Sequence, residues 1–199
     1  MSKSVLLSIQ PRWCEKIASG RKTIEVRKTR PSVPTPFKCY IYCTVDGAGR
    51  NPKRYLWKKD KTGRLREIYW NGKVIGEFVC DEIQYADAFN FVVKEDGEKA
   101  LEGSCIDKAD LFEYLGWERG MPRAKCTPFY RWHISDLVIY NKPKDLSEFY
   151  MPGTLSNEDY LSTIYDGSGD PMRSSYASYL FTRQLRRPPQ SWCYVEELT

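Results

Sequence analysis

The apolar residues of this chain come in short runs separated by polar turns, which is typical of a protein built mostly from strands. Residues 4–9 form the first run, apolar and partly β-branched, and predict a strand. A helix is predicted to begin at Pro11, because proline suits the first helical position, and Trp13 and Ile17 give it one apolar face. Gly20 is placed to end this helix in a left-handed conformation.

Two further strands are predicted before the middle of the chain. Residues 23–28 alternate, with Ile24 and Val26 on one side and polar side chains on the other, which predicts a half-buried strand. Prolines within residues 30–36 exclude a central strand there and indicate a loop. Residues 37–44 are rich in aromatic side chains and predict the third strand.

The rest of the chain contains one strong turn signal. Asn71 and Gly72 tolerate the positive φ angles of a type I′ turn, so residues 66–70 and 73–80 are predicted to pair as a hairpin. Residues 46–61 are Gly-rich and basic, lack a clear period, and are interpreted as an insertion. The other predicted elements are a short helix at 110–115, a strand at 130–140, a turn or short helix at 143–149, a mobile excursion at 151–171, helical structure at 176–186 and a closing strand at 191–196.

The composition is that of a folded protein with a single domain. The chain has 199 residues, of which 41% are hydrophobic, enough to bury a sizeable core. The apolar run near Met1 is too short for a signal peptide, and no stretch approaches the roughly 20 apolar residues of a membrane span. A cytoplasmic location and no membrane partner are therefore expected.

The seven cysteines are an odd number without a CxxC pair, so they are expected to be free thiols. Cys39 and Cys43 lie in an aromatic run where residues four apart share a face, which favours packing in a core over zinc binding. The chain has one histidine, His133, which also argues against zinc. We expect a reducing compartment, no metal and no cofactor.

The charge is polarised along the chain, whose net charge is +5. The first 80 residues carry 18 of the 31 basic residues and only 6 of the 26 acidic ones. Such asymmetry points to nucleic acid or another polyanion on the basic part, although a solvated basic face without a partner has the same composition.

An ordered set of motifs over residues 4–140 resembles the ASCH domain family. A strand and a helix started by proline are followed by a Ser-Gly pair and then by a Lys-x-x-Glu-x-Arg strand. The matching segments are Ser8-Ile-Gln-Pro11, the Gly-x-Lys-x-x-Glu-x-Arg signature at 20–27, Gly72-Lys-Val-Ile-Gly-Glu-Phe78 and Trp132-His-Ile-Ser-Asp-Leu137. The segment at 188–195 is similar to the tails of bacterial and phage-borne members.

The resemblance implies an α+β fold that is mostly β, a PUA-like ASCH β-barrel with a few flanking helices. Residues 1–150 would form this domain, with a basic insertion around 46–68, and residues 151–199 would be a C-terminal extension packing on it. The resemblance also implies a cleft beside the signature, suited to a base, a nucleoside or single-stranded RNA.

The signature contains the candidate functional residues. Lys22 lies at a helix-to-strand junction, where its ammonium could reach a phosphate or carry a proton. Arg27 offers a planar fork for phosphate, and Glu25 can hold either cation or accept a proton. Lys22 and Glu25 are the catalytic candidates if the protein is an enzyme. The candidate residues for ligand or RNA binding are Lys22, Thr23, Glu25, Arg27, Tyr40, Tyr42 and Trp132.

Simpler structural roles are open for the same residues. The charged members of the signature could form an exposed ion-pair ladder on an edge strand, worth under about 1 kcal/mol. Tyr40, Tyr42 and Trp132 could stack bases, but at strand spacing such rings more often belong to the core. His133 is expected to be a hydrogen-bonded structural residue rather than a catalytic one.

Three functions follow from these observations. The first is binding of RNA or of a nucleotide-like ligand. The second is hydrolysis in the same cleft; one amidohydrolase branch of the family has Thr where Glu25 stands, so ribonuclease activity is favoured over acyl-cytidine hydrolysis. The third is a protein-interaction module that uses the basic residues at 50–61. Whether the protein is an enzyme stays open at this point.

Overall fold

The structure is a computed structural model that describes residues 3–45, 55–59, 65–87, 101–118, 121–122, 125–152 and 183–198, with the backbone alone at 55–59 and 65–69. Helices α1 and α2 span Pro11–Ala18 and Lys108–Leu115. The strands are β1 (Lys3–Ile9), β2 (Ile24–Arg27), β3 (Phe37–Cys43), β4 (Tyr55–Lys59), β5 (Leu65–Tyr69), β6 (Lys73–Cys80), β7 (Ile83–Ala86), β8 (Phe129–His133), β9 (Ser135–Lys144) and β10 (Trp192–Glu196).

Most of these strands form two sheets. The larger sheet has the order β10-β1-β3-β6-β9, with β1 parallel to β3 and antiparallel to β10. The smaller sheet has the antiparallel order β2-β8-β7, and β4 pairs with β5 as a separate two-stranded ribbon. The predicted α+β class, mostly β, is confirmed. The ladders between the described strands do not close into a barrel, so the barrel stays a prediction.

The larger sheet is covered on both faces at its centre. Val5, Leu7 and Ile9 of β1 belong to a first core that includes the buried side of α1, whereas Leu6 belongs to a second core on the opposite face. Strands covered on both faces are apolar along their whole length rather than alternating. This explains why the continuous apolar runs of β1 and β3 predicted strands at nearly the observed bounds.

The predicted hairpin across Asn71 and Gly72 is wrong. A turn forms, with Gly72 at φ +78° and the N–H of Lys73 donating to the carbonyl of Trp70 at 3.0 Å, but Asn71 does not have a positive φ, so the turn is not the predicted type I′. However, β5 pairs with β4, while β6 pairs with β3 along one edge and with β9 along the other. Both edges of β6 are therefore occupied, and β5 belongs to a ribbon within the predicted insertion.

The single strand predicted at 130–140 is two strands in two sheets. β8 belongs to the smaller sheet and β9 to the larger one, with Ile134 between them. The N–H of Ile134 donates to the carbonyl of Thr23 at 2.9 Å, so the chain passes between the sheets beside β2. Strand β7, which the sequence pattern did not predict, pairs with β8.

The short helix predicted at 110–115 is confirmed as α2, the turn at 143–149 contains a 3-10 helix at Leu146–Glu148, and the closing strand is β10. The predicted excursion at 151–171 lies outside the described residues except for its first two, and the predicted helix at 176–186 except for its last four. The division into 1–150 and 151–199 stays a prediction. Within the described ranges, no helix is long and apolar enough to cross a bilayer.

Candidate functional site

The junction between α1 and β2 brings the signature lysine inward. Pro11 begins α1 at a position that needs no amide donor. Gly20, at φ +72°, ends the helix and donates its N–H to the carbonyl of Ile17 at 2.8 Å. The N–H of Lys22 then donates to the carbonyl of Lys16 at 2.9 Å, which turns the chain back toward the end of α1.

A loop that precedes α2 holds this junction from outside. The carbonyl of Gly103 accepts the N–H groups of Thr23 (2.8 Å) and Ile24 (3.0 Å). Gly103 has φ +74°, and an added Cβ there would collide with the Thr23 side chain, so a larger residue is excluded on both counts. The next carbonyl, of Ser104, accepts a hydrogen bond from the ammonium of Lys22 at 2.7 Å.

The ammonium of Lys22 is buried and fully surrounded. Its side chain is 4% exposed, and Nζ donates to the carbonyls of Ile24 (2.8 Å) and Ser104 (2.7 Å). Glu25 Oε2 lies 3.3 Å from Nζ, and the centroid of the Trp13 ring lies 5.2 Å away. Two of the three donors of the ammonium are used by these carbonyls and its charge faces Glu25, so the side chain is held in one position.

Arg27 connects β2 to β1 and to the segment before β10. Nη2 donates to the carbonyl of Ser8 at 2.9 Å, and Nη1 contacts both the carbonyl and the hydroxyl of Ser191 at 3.2 Å. Nε lies 3.0 Å from Glu25 Oε1. Its planar fork is therefore used mainly to join three parts of the chain.

Glu25 lies between the two cations. Lys22, Glu25 and Arg27, which we call the buried triad, are 4%, 8% and 7% exposed. Within the described residues, Oε2 of Glu25 receives no hydrogen bond of good geometry, so this buried oxygen keeps acceptor capacity beyond its ion pair with Lys22. The prediction that Glu25 holds a cation is confirmed for both neighbours.

Strand β2, which carries Glu25 and Arg27, is not half-buried as predicted. All four residues of β2 are buried, since Val26 packs in a third core with α2 while the polar side lies beneath α1 and the segment before β10. The alternative of an exposed ion-pair ladder is therefore wrong. Taking one partner from a buried pair costs about 3–5 kcal/mol, far more than from an exposed pair.

The buried triad lines a cleft of about 550 Å³. Four lining residues are basic and two are acidic, so the cleft has excess positive charge in an environment partly shielded from water. The lining residues are Ser8, Ile9, Gln10, Arg12, Trp13, Lys22, Glu25, Val26, Arg27, Lys28, Thr29, Thr44, Ile106, Asp110, Tyr114, Gln190 and Ser191.

Helix α2 forms one wall of this cleft. The Asp107 side chain caps its first turn by accepting the N–H of Asp110 at 2.8 Å, and Gly116 ends it in the left-handed conformation. Asp110 and Tyr114, four residues apart, face the cleft, while Leu111 and Leu115 are buried in the third core. Burial raises the pKa of Tyr114, so its phenol is neutral at ordinary pH.

The structure does not bring the other predicted ligand residues to the cleft. Tyr40 and Tyr42 are buried in the second core, and Trp132 is buried in the first. The side chain of Thr23 is exposed and does not line the cleft. The three aromatic rings therefore belong to the core, as the alternative to base stacking predicted.

Sequence reasoning missed Tyr114 and Ser191. A signal for Tyr114 was present, because Leu111 and Leu115 share one face of the short helix and leave Asp110 and Tyr114 on another. Nothing near Ser191 in the sequence indicated its contact with Arg27, which joins residues 164 positions apart.

Among the described residues, the other titratable groups lie outside the cleft. Cys14 and Cys39 are buried, and burial raises the pKa of each thiol well above its usual value, so both stay protonated. Within the described ranges no cluster of side chains could hold a metal ion. Nδ1 of His133 lies 2.7 Å from Asp81 Oδ1 at the surface, and this contact lowers the pKa of Asp81.

Comparison with known proteins shows the fold. No protein-family model matches the chain, and no curated protein matches it. The crystal structure of a mutant ASCH protein from Zymomonas mobilis matches with a TM-score of 0.50 at 17% identity, over 98% of this chain and 92% of that one. The structure of ASCH from the same organism matches with a TM-score of 0.47 at 18% identity, over 98% and 88%. On the first of these matches, the chain has the fold of an ASCH protein.

Proposed function

We propose that the cleft binds RNA or a nucleotide-like ligand. The observation that supports this most strongly is the buried triad, in which two cations surround one carboxylate at the wall of an open cleft. A net positive charge held out of water is costly unless an anion completes it, and a phosphate group is an anion of suitable size. The rim adds Arg12 and Lys28, while Asp110 is the one further acidic residue of the lining.

A second feature suits a base rather than an anion alone. Oε2 of Glu25 is a buried acceptor with unused capacity, and carboxylates accept hydrogen bonds from the amino groups of bases. The cleft volume of about 550 Å³ falls in the usual range for small-ligand sites. A ligand whose phosphate lies at the basic rim and whose base points toward Glu25 would use both features.

We take the two sheets to be parts of one PUA-like barrel in a domain at 1–150, with 151–199 as an extension packed on it. Pairing of β10 with β1 and the contact of Arg27 with Ser191 support this arrangement. The segment before β10 would then contribute to the ligand site, because Gln190 and Ser191 line the cleft.

Hydrolysis in the same cleft is a weaker proposal. Its support is the unused acceptor capacity of Glu25, which would let this carboxylate take a proton. The contacts of Lys22 argue against a proton-carrying role for that residue, because two carbonyls and Glu25 surround its ammonium. Binding without cleavage is therefore the function that we favour.

The test is a titration of short single-stranded RNA at two or more salt concentrations. For single strands, the slope of log K against log salt concentration is about −0.7 for each phosphate neutralised. We expect Arg12→Ala with Lys28→Ala to make this slope shallower by about 1.4. Lys125→Ala with Lys142→Ala is the matched control, since it removes two exposed lysines outside the cleft.

The proposal is overturned if the unaltered protein binds no RNA even at low salt. Equal effects of the two double variants would place the binding surface elsewhere. Incubation of the same RNA with the protein, followed by separation on a denaturing gel, detects cleavage; an intact strand agrees with binding alone.

A further inference from the structure

Tyr114 is an aromatic side chain that is partly covered by the protein and partly exposed at the cleft. Among the described residues, the large exposed hydrophobic side chains are Val45, Tyr85, Tyr114, Val138 and Met151. Of these, Tyr114 alone lines the cleft with the buried triad, and its relative exposure is 38%. An aromatic ring left in contact with water beside a positively charged cleft has the properties of a stacking surface.

Helix α2 holds this ring in place. The helix is capped at its start by Asp107 and at its end by Gly116, and Leu111 and Leu115 anchor it in the third core. A tyrosine on such a helix loses little conformational entropy on binding, because its backbone is already fixed and it has only two side-chain torsions. The position is thus prepared for a planar ligand.

The charges around Tyr114 belong to the proposed ligand site. The ring lines the same cleft as Arg27 and Glu25 of the triad. Nζ of Lys28 lies 5.1 Å from the ring centroid. Lys28 is exposed and long, so its ammonium can leave the ring for a phosphate when a base takes its place.

Other rings are poorer candidates for stacking. Trp13 also lines the cleft, but Arg12, Lys16 and Lys22 place their charged groups within 4.6, 4.6 and 5.2 Å of its centroid. Three cations therefore already lie close to its ring, and one of them, Lys22, is buried. The rings of Tyr40, Tyr42 and Trp132 are inaccessible in the two cores.

We infer that Tyr114 stacks on a nucleobase of the bound ligand, while Lys28 contacts an adjacent phosphate. This inference rests on the proposed function and narrows it, because it requires a ligand with a base and not a bare polyphosphate or a phosphorylated sugar. The base contact then comes from α2, which lies outside the signature at residues 20–27.

The experiment compares two strands of equal length and charge, a short single-stranded RNA and an abasic ribose-phosphate strand. We expect the unaltered protein to prefer the RNA. Tyr114→Leu should weaken RNA binding by about thirtyfold, the middle of the range for loss of one stacked base, and should leave binding of the abasic strand unchanged. Because the number of phosphate contacts stays the same, the salt dependence of RNA binding should not change.

Three further variants complete the test. Tyr114→Phe keeps the ring and should bind RNA like the unaltered protein, whereas Tyr114→Trp enlarges the ring and should bind it severalfold more tightly. Tyr85→Leu removes an exposed tyrosine outside the cleft and should have no effect. The Trp variant keeps the inference testable if the Leu variant fails to fold.

The outcomes separate this inference from the proposed function. If the unaltered protein binds both strands equally and the Leu and Trp variants behave like it, the anion site stands and the stacking role of Tyr114 is overturned. If the unaltered protein binds neither strand, the proposed function fails and the inference fails with it. Equal weakening of both strands by Tyr114→Leu also overturns stacking, because the abasic strand offers nothing to stack.

Discussion

Two groups of charged side chains in this protein have similar chemistry and opposite surroundings. The buried triad has two cations around one carboxylate, with side chains 4–8% exposed. A second group, which we call the surface cluster, has Lys38 between Glu77 (3.4 Å) and Glu197 (3.0 Å), with side chains 25–35% exposed. Tyr140 completes it by donating its hydroxyl to Glu77.

The comparison shows what burial adds to the same kind of contact. In the surface cluster water screens the charges, and the contacts connect the end of the chain to the larger sheet with little net energy. In the buried triad the charges have lost their water, so each depends on its partners and on the carbonyls around it. A protein that keeps such a costly group beside a cleft gains a fixed field there, and this is the property that our proposals use.

The largest expected effect is that of Glu25→Gln. It leaves two cations buried without their carboxylate, and we expect a loss of about 3–5 kcal/mol in the free energy of unfolding. Urea unfolding monitored by tryptophan fluorescence measures this. The double variant Glu25→Gln with Lys22→Met should lose less than the sum of the single variants, since it also removes one of the unpaired cations. Additive losses would mean that the triad is not one electrostatic unit.

The contrast between the two groups also shows what could be predicted from the sequence. Local geometry and continuous burial can both be predicted from the sequence. Pro11 and Gly20 act through local geometry, and the apolar runs of β1 and β3 through burial. The burial of Glu25 could not be predicted, because alternation along β2 indicates two faces without saying that each is covered. The two cation partners of Glu25 are held by Ser104 and Ser191, which are distant in the chain.

The failure of the hairpin has the same origin. Asn71 and Gly72 form a turn, although only Gly72 has the positive φ predicted for both, and a turn fixes only the residues beside it. Strands β3 and β9 pair with the two edges of β6, so no edge is left for β5, the strand before the turn. Tyr114 is an intermediate case, because the periodicity of α2 marks its face and only the tertiary packing places that face at the cleft.

A smaller effect is expected for Arg27→Lys. The substitution keeps the charge but removes the fork that joins Ser8 and Ser191, and we expect a loss of about 2 kcal/mol in the free energy of unfolding. Hydrogen exchange of the β10 amides should become faster, because this segment loses an anchor. Arg131→Lys is the matched control, at a half-buried position in β8 whose guanidinium donates to Gln84. Unchanged exchange in β10 would contradict the anchoring role.

The surface cluster should respond to alkaline pH through Tyr140. Burial, followed by the hydrogen bond to the carboxylate of Glu77, raises the pKa of this phenol above its usual value near 10. A raised pKa in the folded state adds stability that is fully present below pH about 10 and is lost as the pH rises above it.

Urea midpoints between pH 8 and pH 11 should therefore fall more steeply for the unaltered protein than for Tyr140→Phe. Tyr85→Phe, at an exposed tyrosine, is the control. Parallel curves for all three proteins would refute the linkage.

The smallest effect is expected for Lys38→Gln, and it completes the comparison with Glu25→Gln. Lys38 contacts Glu77 and Glu197 where all three side chains reach water, so its removal should cost under about 1 kcal/mol. In 1 M NaCl the Debye length falls to about 3 Å, and this cost should nearly vanish, while the larger cost of Glu25→Gln should persist because salt does not reach a buried pair. Urea unfolding of both variants at low and high salt measures the difference. If the two costs decreased in the same proportion, the triad would be as open to solvent as the surface cluster, and the fixed field that the proposed ligand site requires would be absent.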